Sequence, residues 1–292
     1  MAAIDTAAFI VVNGLIFGAL IALTAVGLSL IFGVLGVPNF AQGEFAAVAG
    51  FTVVGLLGAG VSLAPAIVVA LGLSCVLGVV AERLTIAKLY GRDNFLLLSF
   101  FVTFGLSLVS HNVLRIAFGG FEQIPGPQLG SIALFDFELS VLRLVAALIA
   151  VVMLGALHLF TKYTYVGLAM RAVSDDRQGA EMLGIDYDRI SMVTFGVGGL
   201  LTGVSGILYG MLFTVYPTLG VSLTAFAFTI VVVGGVGSFT GVIAASLGIG
   251  IVETFTATVV GSEYRFFAIF LVLFLVLTLK PGGIGGDVDV GH

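Results

Sequence analysis

The densest set of residues that could do chemistry lies in GVPNFAQGEFAAVAG, residues 36–50, where Pro38, Asn39, Gln42 and Glu44 stand between two apolar runs. A proline cannot continue a helical hydrogen-bond ladder, and neighbouring amides can satisfy the backbone groups it frees. A carboxylate at the start of the following helix meets the positive end of the helix dipole. Two readings follow: a broken helix lining a central route, or a capped turn at the edge of the apolar layer. Glu253 and His111 are further ionisable groups on apolar runs, and such groups are candidates for a polar route, although Glu253 could equally sit at a helix end facing water. His111 and His158 fall near opposite ends of different runs and His292 lies in the tail, so no histidine ligand cluster for a metal is expected. The single cysteine, Cys75, lies in an apolar run, which excludes a disulfide framework and a cysteine-based metal site.

A second concentration of polar residues is GLAMRAVSDDRQGAEMLGIDYDRI, 167–190. Ser174 or Asp175 can cap a helix that begins near Asp176, and Gly184 can end it, leaving about two turns. Two turns are not stable alone in water, so this helix needs a surface to dock on. Ala180, Met182, Leu183 and Ile185 offer small and apolar contacts, while Asp175, Asp176, Arg177 and Glu181 offer charge. The expectation is a coupling element that docks on another chain. The alternative is a solvated loop whose Arg171, Arg177 and Arg189 only fix orientation.

The elements that must position these groups follow from composition. Hydrophobic residues make up 60% of the chain and charged residues 9%, with mean hydropathy +1.24, where a soluble domain carries about 25% charged residues. The chain is therefore expected to be an all-α polytopic transmembrane helix bundle, a single domain over 1–292, with membrane lipid around it and no nucleic-acid partner. Apolar segments at 7–33, 45–61, 63–81, 95–114, 141–160, 190–215, 224–242, 243–260 and 265–280 give about 8–9 spans, some broken or re-entrant. VVVGGVGSFTGVIAASLG, 231–248, is either a junction of two helices or a re-entrant turn, and backbone that irregular must be buried in protein or line a cavity.

Arg83, Lys88 and Arg92 share one loop, and Lys162, Arg171, Arg177 and Arg189 share the loop 161–190, which places both in the cytoplasm. The loop 117–140 carries Glu122, Asp136 and Glu138 without a basic residue and falls outside, as does the amino terminus, where no cleavable signal peptide is evident. Nine crossings put the Gly-rich acidic tail inside. Many of the 41 glycines recur at small-xxx-small spacing, Gly14 with Gly18 and Gly206 with Gly210 among them, which lets helix backbones approach closely. GVGSFTGVIAASLG at 235–248 faintly echoes residues 36–50 once one gap is allowed: either chance similarity between Gly/Ala-rich helices or one of the paired interrupted segments that often build the central site of transporters. Pro38, Asn39, Gln42, Glu44, Gly235 and Gly237 are accordingly the candidates for a translocation path.

LSLIFGVLGVPNFAQGEFAAVAG, GLAMRAVSDDRQGAEMLGID and VVVGGVGSFTGVIAASLG, in that order, resemble the H-type permease subunits of branched-chain amino acid ABC importers. The resemblance runs over nearly the whole chain. It implies a heterodimer with a second, similar permease, two ATP-binding cassette subunits, an extracytoplasmic solute-binding protein, and a cytoplasmic-membrane location. The A-x-x-x-G spacing of Ala180 and Gly184 resembles the ABC importer signature in this loop, and with the charged Asp175, Arg177 and Glu181 these residues are the expected ATPase-coupling set. Its substrates are leucine, isoleucine and valine, with urea, short amides or another small solute as the alternative within the wider family. The family commonly carries His where this chain has Gln42, so no titrating imidazole is carried over to that position. No G-x-x-x-x-G-K-[ST] phosphate loop occurs, so the chain has no cofactor of its own and ATP is left to the partner subunits.

Two other classes compete. GVSG, 203–206, matches the G-x-S-G around the nucleophile of rhomboid-type intramembrane proteases, but the base that Ser205 would need does not follow it in a later span. Ser205 is instead expected to bond back to a carbonyl one turn earlier. A passive channel lined by Glu44, Glu253 and His111 has no need of a charged docking helix at 167–190, whereas an ATP-driven importer requires one.

Overall fold

The computed structural model describes residues 2–134, 137–280 and 282–285. His292, Asp136 and most of the acidic tail lie outside the described residues. The helices are α1 (Ala2–Leu35), α2 (Glu44–Gly58), α3 (Leu63–Leu84), α4 (Phe95–Phe118), α5 (Val141–Tyr163), α6 (Tyr165–Asp175), α7 (Arg177–Met182), α8 (Tyr187–Leu212), α9 (Leu219–Gly234), α10 (Phe239–Phe255) and α11 (Arg265–Leu279).

Among the described residues seven helical stretches are long and apolar enough to cross a membrane. The apolar helices α2 and α9 have only 15 and 16 residues, about 22–24 Å at 1.5 Å per residue, which is short of a hydrocarbon layer of about 30 Å. Each is preceded by irregular chain, 36–43 before α2 and 213–218 before α9. The expected eight or nine spans are thus seven full helices and two half-length ones. Alternation of direction brings the basic loops 85–94 and 164–186 to one end of the bundle and the acidic 119–140 to the other.

The division expected between 242 and 243 is corrected: one helix stops at Gly234 and the next starts at Phe239. Gly235 (φ 94°) and Gly237 (φ 78°) take backbone conformations that other residues rarely adopt. The Ser238 hydroxyl then accepts from the Gly241 N–H at 3.2 Å and caps α10. The stretch is a junction of two helices rather than a re-entrant turn.

α1 and α8 are the inner helices, with most of their length buried, while α3, α4, α5 and α11 turn exposed apolar faces outward. The largest apolar core joins α1, α5, α8, α9 and α10 around Leu20, Leu23, Leu28, Ile230 and Val231. α1 and α10 meet backbone to backbone at Gly14, Gly18 and Gly250, as small-residue spacing predicts. An element absent from the sequence reading is the antiparallel hairpin of β1 (Ser131–Leu134) and β2 (Phe137–Ser140), with Ser131 opposite Ser140. The same loop is tied to the end of α8 by a two-way bridge between Glu122 and Val215 at 2.8 and 2.7 Å.

Candidate functional site

α1 ends at Gly36 (φ 68°), whose N–H bonds to Phe32 O at 2.9 Å. The chain then turns back into the bundle, where polar groups of residues 38–43 find partners on neighbouring helices and in the segment itself. The Thr103 hydroxyl of α4 donates to Pro38 O at 3.2 Å and accepts from Phe40 N at 3.1 Å. Asn39 Oδ1 accepts from Ala41 N at 3.1 Å, and its Nδ2 donates to Gln42 Oε1 at 2.9 Å. Gln42 Nε2 donates to Gly198 O at 3.0 Å and to the Thr202 hydroxyl at 2.6 Å, both on α8. Gly43 N donates to the Thr224 hydroxyl of α9 at 2.9 Å. Asn39, Gln42 and Glu44 are all buried. The segment is buried inside the bundle rather than capped at its edge.

Glu44 opens α2. Its Oε1 accepts from the Ser107 hydroxyl at 2.7 Å, and its Oε2 is buried without a hydrogen-bond partner. The start of α9 presses on this point: a Cβ on Gly43 would lie 2.1 Å from Gly220 O, and one on Gly220 would lie 2.5 Å from Glu44 Cδ. Only glycine at both positions permits the approach.

Above this polar knot lies an open-sided cavity of ≈840 Å³ between α4, α9 and α11, lined mostly by apolar side chains with Ser107, His111 and Thr224 among them. Phe40 forms part of its wall, stacked on Phe228 at 4.3 Å and edge-on to Phe100 at 4.6 Å. Gly235 and Gly237 are elsewhere. They form the α9–α10 junction at the basic end, against Gly33 and the returning segment 282–285, and Gly237 lines a separate cavity of ≈200 Å³ beside Ser174. The echo of residues 36–50 therefore sits at a different depth from its counterpart.

The polar loop folds as two helices. Thr164 caps α6 by accepting from Gly167 N at 3.0 Å. Asp176, not Ser174 or Asp175, is the residue at the start of α7. Asp175 ends α6, and the Ser174 hydroxyl donates to Gly33 O of α1 at 2.7 Å. Gly184 (φ 84°) ends the element, with Ile185 N bonded back to Ala180 O at 3.1 Å. Ala180 is buried against this chain, whereas Met182 and Leu183 are 87% and 83% exposed and face outward. Arg177 pairs with Glu181 at 3.0 Å and lies over the rings of Tyr187 at 3.7 Å and Tyr90 at 5.0 Å. Burial pushes the Tyr90 phenol above its ordinary pKa, and its oxygen is 2.7 Å from the Ser191 hydroxyl, which donates to the buried Glu82 at 2.8 Å. Arg177 was legible in the sequence. Tyr90, Ser191 and Glu82 were not, because Glu82 beside Arg83 reads as the ordinary charged end of a span.

A family model described as "Branched-chain amino acid transport system / permease component" matches residues 10–279. The chain belongs to that permease family. Among its relatives, the high-affinity branched-chain amino acid transport system permease proteins LivH of Salmonella typhimurium and of Escherichia coli (strain K12) are each 28% identical to it, over 95% of both chains. BraD of Pseudomonas aeruginosa, with the same description, is 29% identical over 96% of this chain and 95% of its own. A solved structure described as PsaBC from Streptococcus pneumoniae in complex with Fab is similar in fold, with TM-score 0.50, 15% identity, and coverage of 92% of this chain and 91% of that one.

As a permease, the protein is a multi-pass membrane protein of the cytoplasmic membrane and a transport subunit rather than an enzyme. Ser205 has the packing role but not the expected partner: its hydroxyl crosses to Leu20 O of α1 at 2.8 Å instead of bonding within α8. His111 borders the large cavity, and His158 packs against the Phe239 ring at 5.3 Å. Among the described residues no group of three or more His, Cys, Asp or Glu could hold a metal ion. Glu253 is buried and paired with Arg265 at 3.1 Å, at the end of the bundle away from the basic loops.

Proposed function

We propose that this chain is one permease subunit of an ATP-driven importer of leucine, isoleucine and valine, and that the ≈840 Å³ cavity between α4, α9 and α11 is its share of the translocation path. The observation that carries the reading is this open-sided, mainly apolar cavity walled by the knotted segment that contains Pro38, Asn39 and Gln42. A cavity open on its flank is completed by a second permease set against it. A branched-chain amino acid has an aliphatic side chain and two charged groups, so a largely apolar wall with a few hydroxyls lets it pass without tight binding.

In this reading the basic end faces the cytoplasm. The outward Met182 and Leu183 of α7 then dock on an ATP-binding cassette subunit, and Asp175, Arg177, Ala180, Glu181 and Gly184 shape that contact. The loop 118–140 with its hairpin faces outward and receives the solute-binding protein. Pro38, Asn39, Gln42 and Glu44 set the position of α2 beside the path, while Gly235 and Gly237 hinge α9 to α10 at its inner end.

The test is uptake of labelled leucine, valine and urea by cells that carry the chain with its co-purifying partners. Leucine and valine uptake that requires this chain, with two ATPases and a solute-binding protein recovered alongside it, supports the reading. Uptake of urea or a short amide alone gives the path to that solute instead.

A further inference from the structure

At the end of the bundle opposite the basic loops, α1, α5, α8, α10 and α11 close around another cavity, of ≈170 Å³, which shares no lining residue with the larger one. Its wall brings together charged side chains from three helices: Arg143, Glu253 and Arg265. Glu253 is buried, and its Oε1 meets Arg265 Nη1 at 3.1 Å. Its Oε2 receives only a long contact, 3.4 Å, from the adjacent Thr254 hydroxyl. Arg143 donates to the side-chain oxygen of buried Asn13 and forms no ion pair among the described residues. Arg265 Nε is buried and has no hydrogen-bond partner.

These facts describe unspent capacity. Among the described side chains of the wall, two guanidiniums face one carboxylate, which leaves one positive charge unmatched, and a buried donor without a partner is unfavourable. Glu253 Oε2 meanwhile has room to accept from a cation. The facing wall includes Phe17 and Phe213, whose rings are edge to face at 6.0 Å. α10 continues as a π-helical turn, Thr256–Val260, which carries Thr258 into the pocket wall. Such turns are frequent at functional sites. The space is below the roughly 300 Å³ at which pockets for larger ligands begin, so it holds one small molecule.

We propose that this pocket is a receiving site for a single small α-amino acid, with the carboxylate on Arg143 and Arg265, the ammonium on Glu253, and an aliphatic side chain against Phe17 and Phe213. A simple amine would face two guanidiniums, and a simple anion would leave Glu253 Oε2 unused, whereas a zwitterion uses both. The choice of an aliphatic amino acid rests on the permease reading above. The site itself rests on the three charged groups.

The experiment is equilibrium binding of radiolabelled leucine to the purified full-length chain in nanodiscs, with isovalerate (no ammonium) and isoamylamine (no carboxylate) as competitors. Saturable leucine binding is expected, with isovalerate competing weakly and isoamylamine more weakly still. Arg143→Gln is expected to weaken leucine and isovalerate alike by about tenfold, whereas Glu253→Gln weakens leucine and spares isovalerate. Thr258→Phe fills the pocket from a partly exposed position and should abolish binding while the protein stays monodisperse on gel filtration. No saturable binding by the wild type up to about 10 mM, well past the millimolar range of weak specific binding, would overturn the site. So would variants that bind as the wild type does, or phosphatidylglycerol retained by the wild type and lost by Arg143→Gln, which would give the guanidiniums to a lipid headgroup. Leucine uptake by the whole importer without leucine binding by this chain removes the receiving site and leaves the transport reading standing. Binding that the variants weaken, in cells that import another solute, supports the site while the transport reading fails.

Discussion

Replacing Gly43 by alanine adds one methyl group at the tightest point of the bundle. That carbon would lie 2.1 Å from Gly220 O, 2.7 Å from the Thr224 hydroxyl and 2.8 Å from Thr224 N, so the obstacle is mainly the backbone of α9 and not a movable side chain. α9 has to retreat by about 1 Å, in an interior packed too densely to absorb the shift. The Gly43 N–Thr224 hydrogen bond of 2.9 Å is lost with it. Overpacking costs about 1–3 kcal/mol and the hydrogen bond about 1 kcal/mol. Gly43 has helical backbone angles, φ −68° and ψ −19°, so alanine recovers about 0.4–1 kcal/mol by narrowing the unfolded ensemble. The net loss is about 1–3 kcal/mol, which for a chain of this size lowers the melting temperature by about 2–5 °C. Cys75 is the only cysteine and is partly buried, so a thiol-reactive dye reports unfolding without any added label. Gly72→Ala is the matched control. It makes the same chemical change inside α3 with nothing within 4 Å, and should raise stability by about 0.5–1 kcal/mol through helix propensity. A Gly43→Ala protein that melts within about 1 °C of the wild type, below the smallest shift the packing argument allows, would refute the claim that α2 and α9 are locked at this contact.

Three further outcomes are expected. Gly184→Arg puts a long side chain on a left-handed backbone position, φ 84°, at a strain of about 1–2 kcal/mol; the protein should insert with normal helix content but lose uptake and coupled ATPase, and normal uptake at wild-type abundance would sink the coupling role. Gln42→Leu strands the Thr202 hydroxyl and the Asn39 amide in the interior, at about 1–3 kcal/mol for each group left unpaired, and a melting temperature equal to the wild type would contradict the network. Ser131→Cys on the exposed hairpin should react with a membrane-impermeant maleimide in sealed right-side-out vesicles, and protection from it would invert the proposed orientation.

The spans were legible because an apolar run of some 20 residues has one use in a lipid bilayer, and the first six were placed within a few residues of their observed ends. Residues 36–44 were legible as an interruption because Pro38 and its polar neighbours contradict the runs beside them. Their partners were not. Thr103, Ser107, Thr202 and Thr224 are single hydroxyls on apolar helices, a common and uninformative occurrence until the fold brings all four to one segment. The end of α9 was misplaced by eight residues because the apolar pattern continues through Val236 to Val242, and only the backbone angles of Gly235 and Gly237 decide where the helix stops. The cap of α7 was missed by one residue because Ser174 is drawn to Gly33 of α1, a contact between residues 141 positions apart that no local rule anticipates.

The fate of the polar groups at 38–44 bears on how such a path would select its solute. Gln42 is engaged by α8 and by Asn39, Glu44 Oε1 is engaged by Ser107, and none of Asn39, Gln42 and Glu44 lines the cavity. What the cavity does present is apolar surface, five hydroxyls from Ser107, Thr218, Ser222, Thr224 and Thr229, and the edge of His111. Discrimination by a missing or added methylene in an apolar pocket is worth only about 1–3 kcal/mol, while strong rejection needs buried polar groups left waiting for the right ligand. In the proposed transport reading a wall of this kind passes leucine, isoleucine and valine with little preference, and the choice among solutes belongs to a component that meets them first. Introducing a waiting polar group should therefore change the selectivity. Thr224 already accepts from Gly43 and donates to Gly220 O at 2.8 Å, so the unengaged position to alter is Val221 on the same wall, 45% exposed. Val221→Asn should slow leucine uptake relative to a polar solute of similar size in competition assays, and an unchanged ratio would mean that α9 does not line the path.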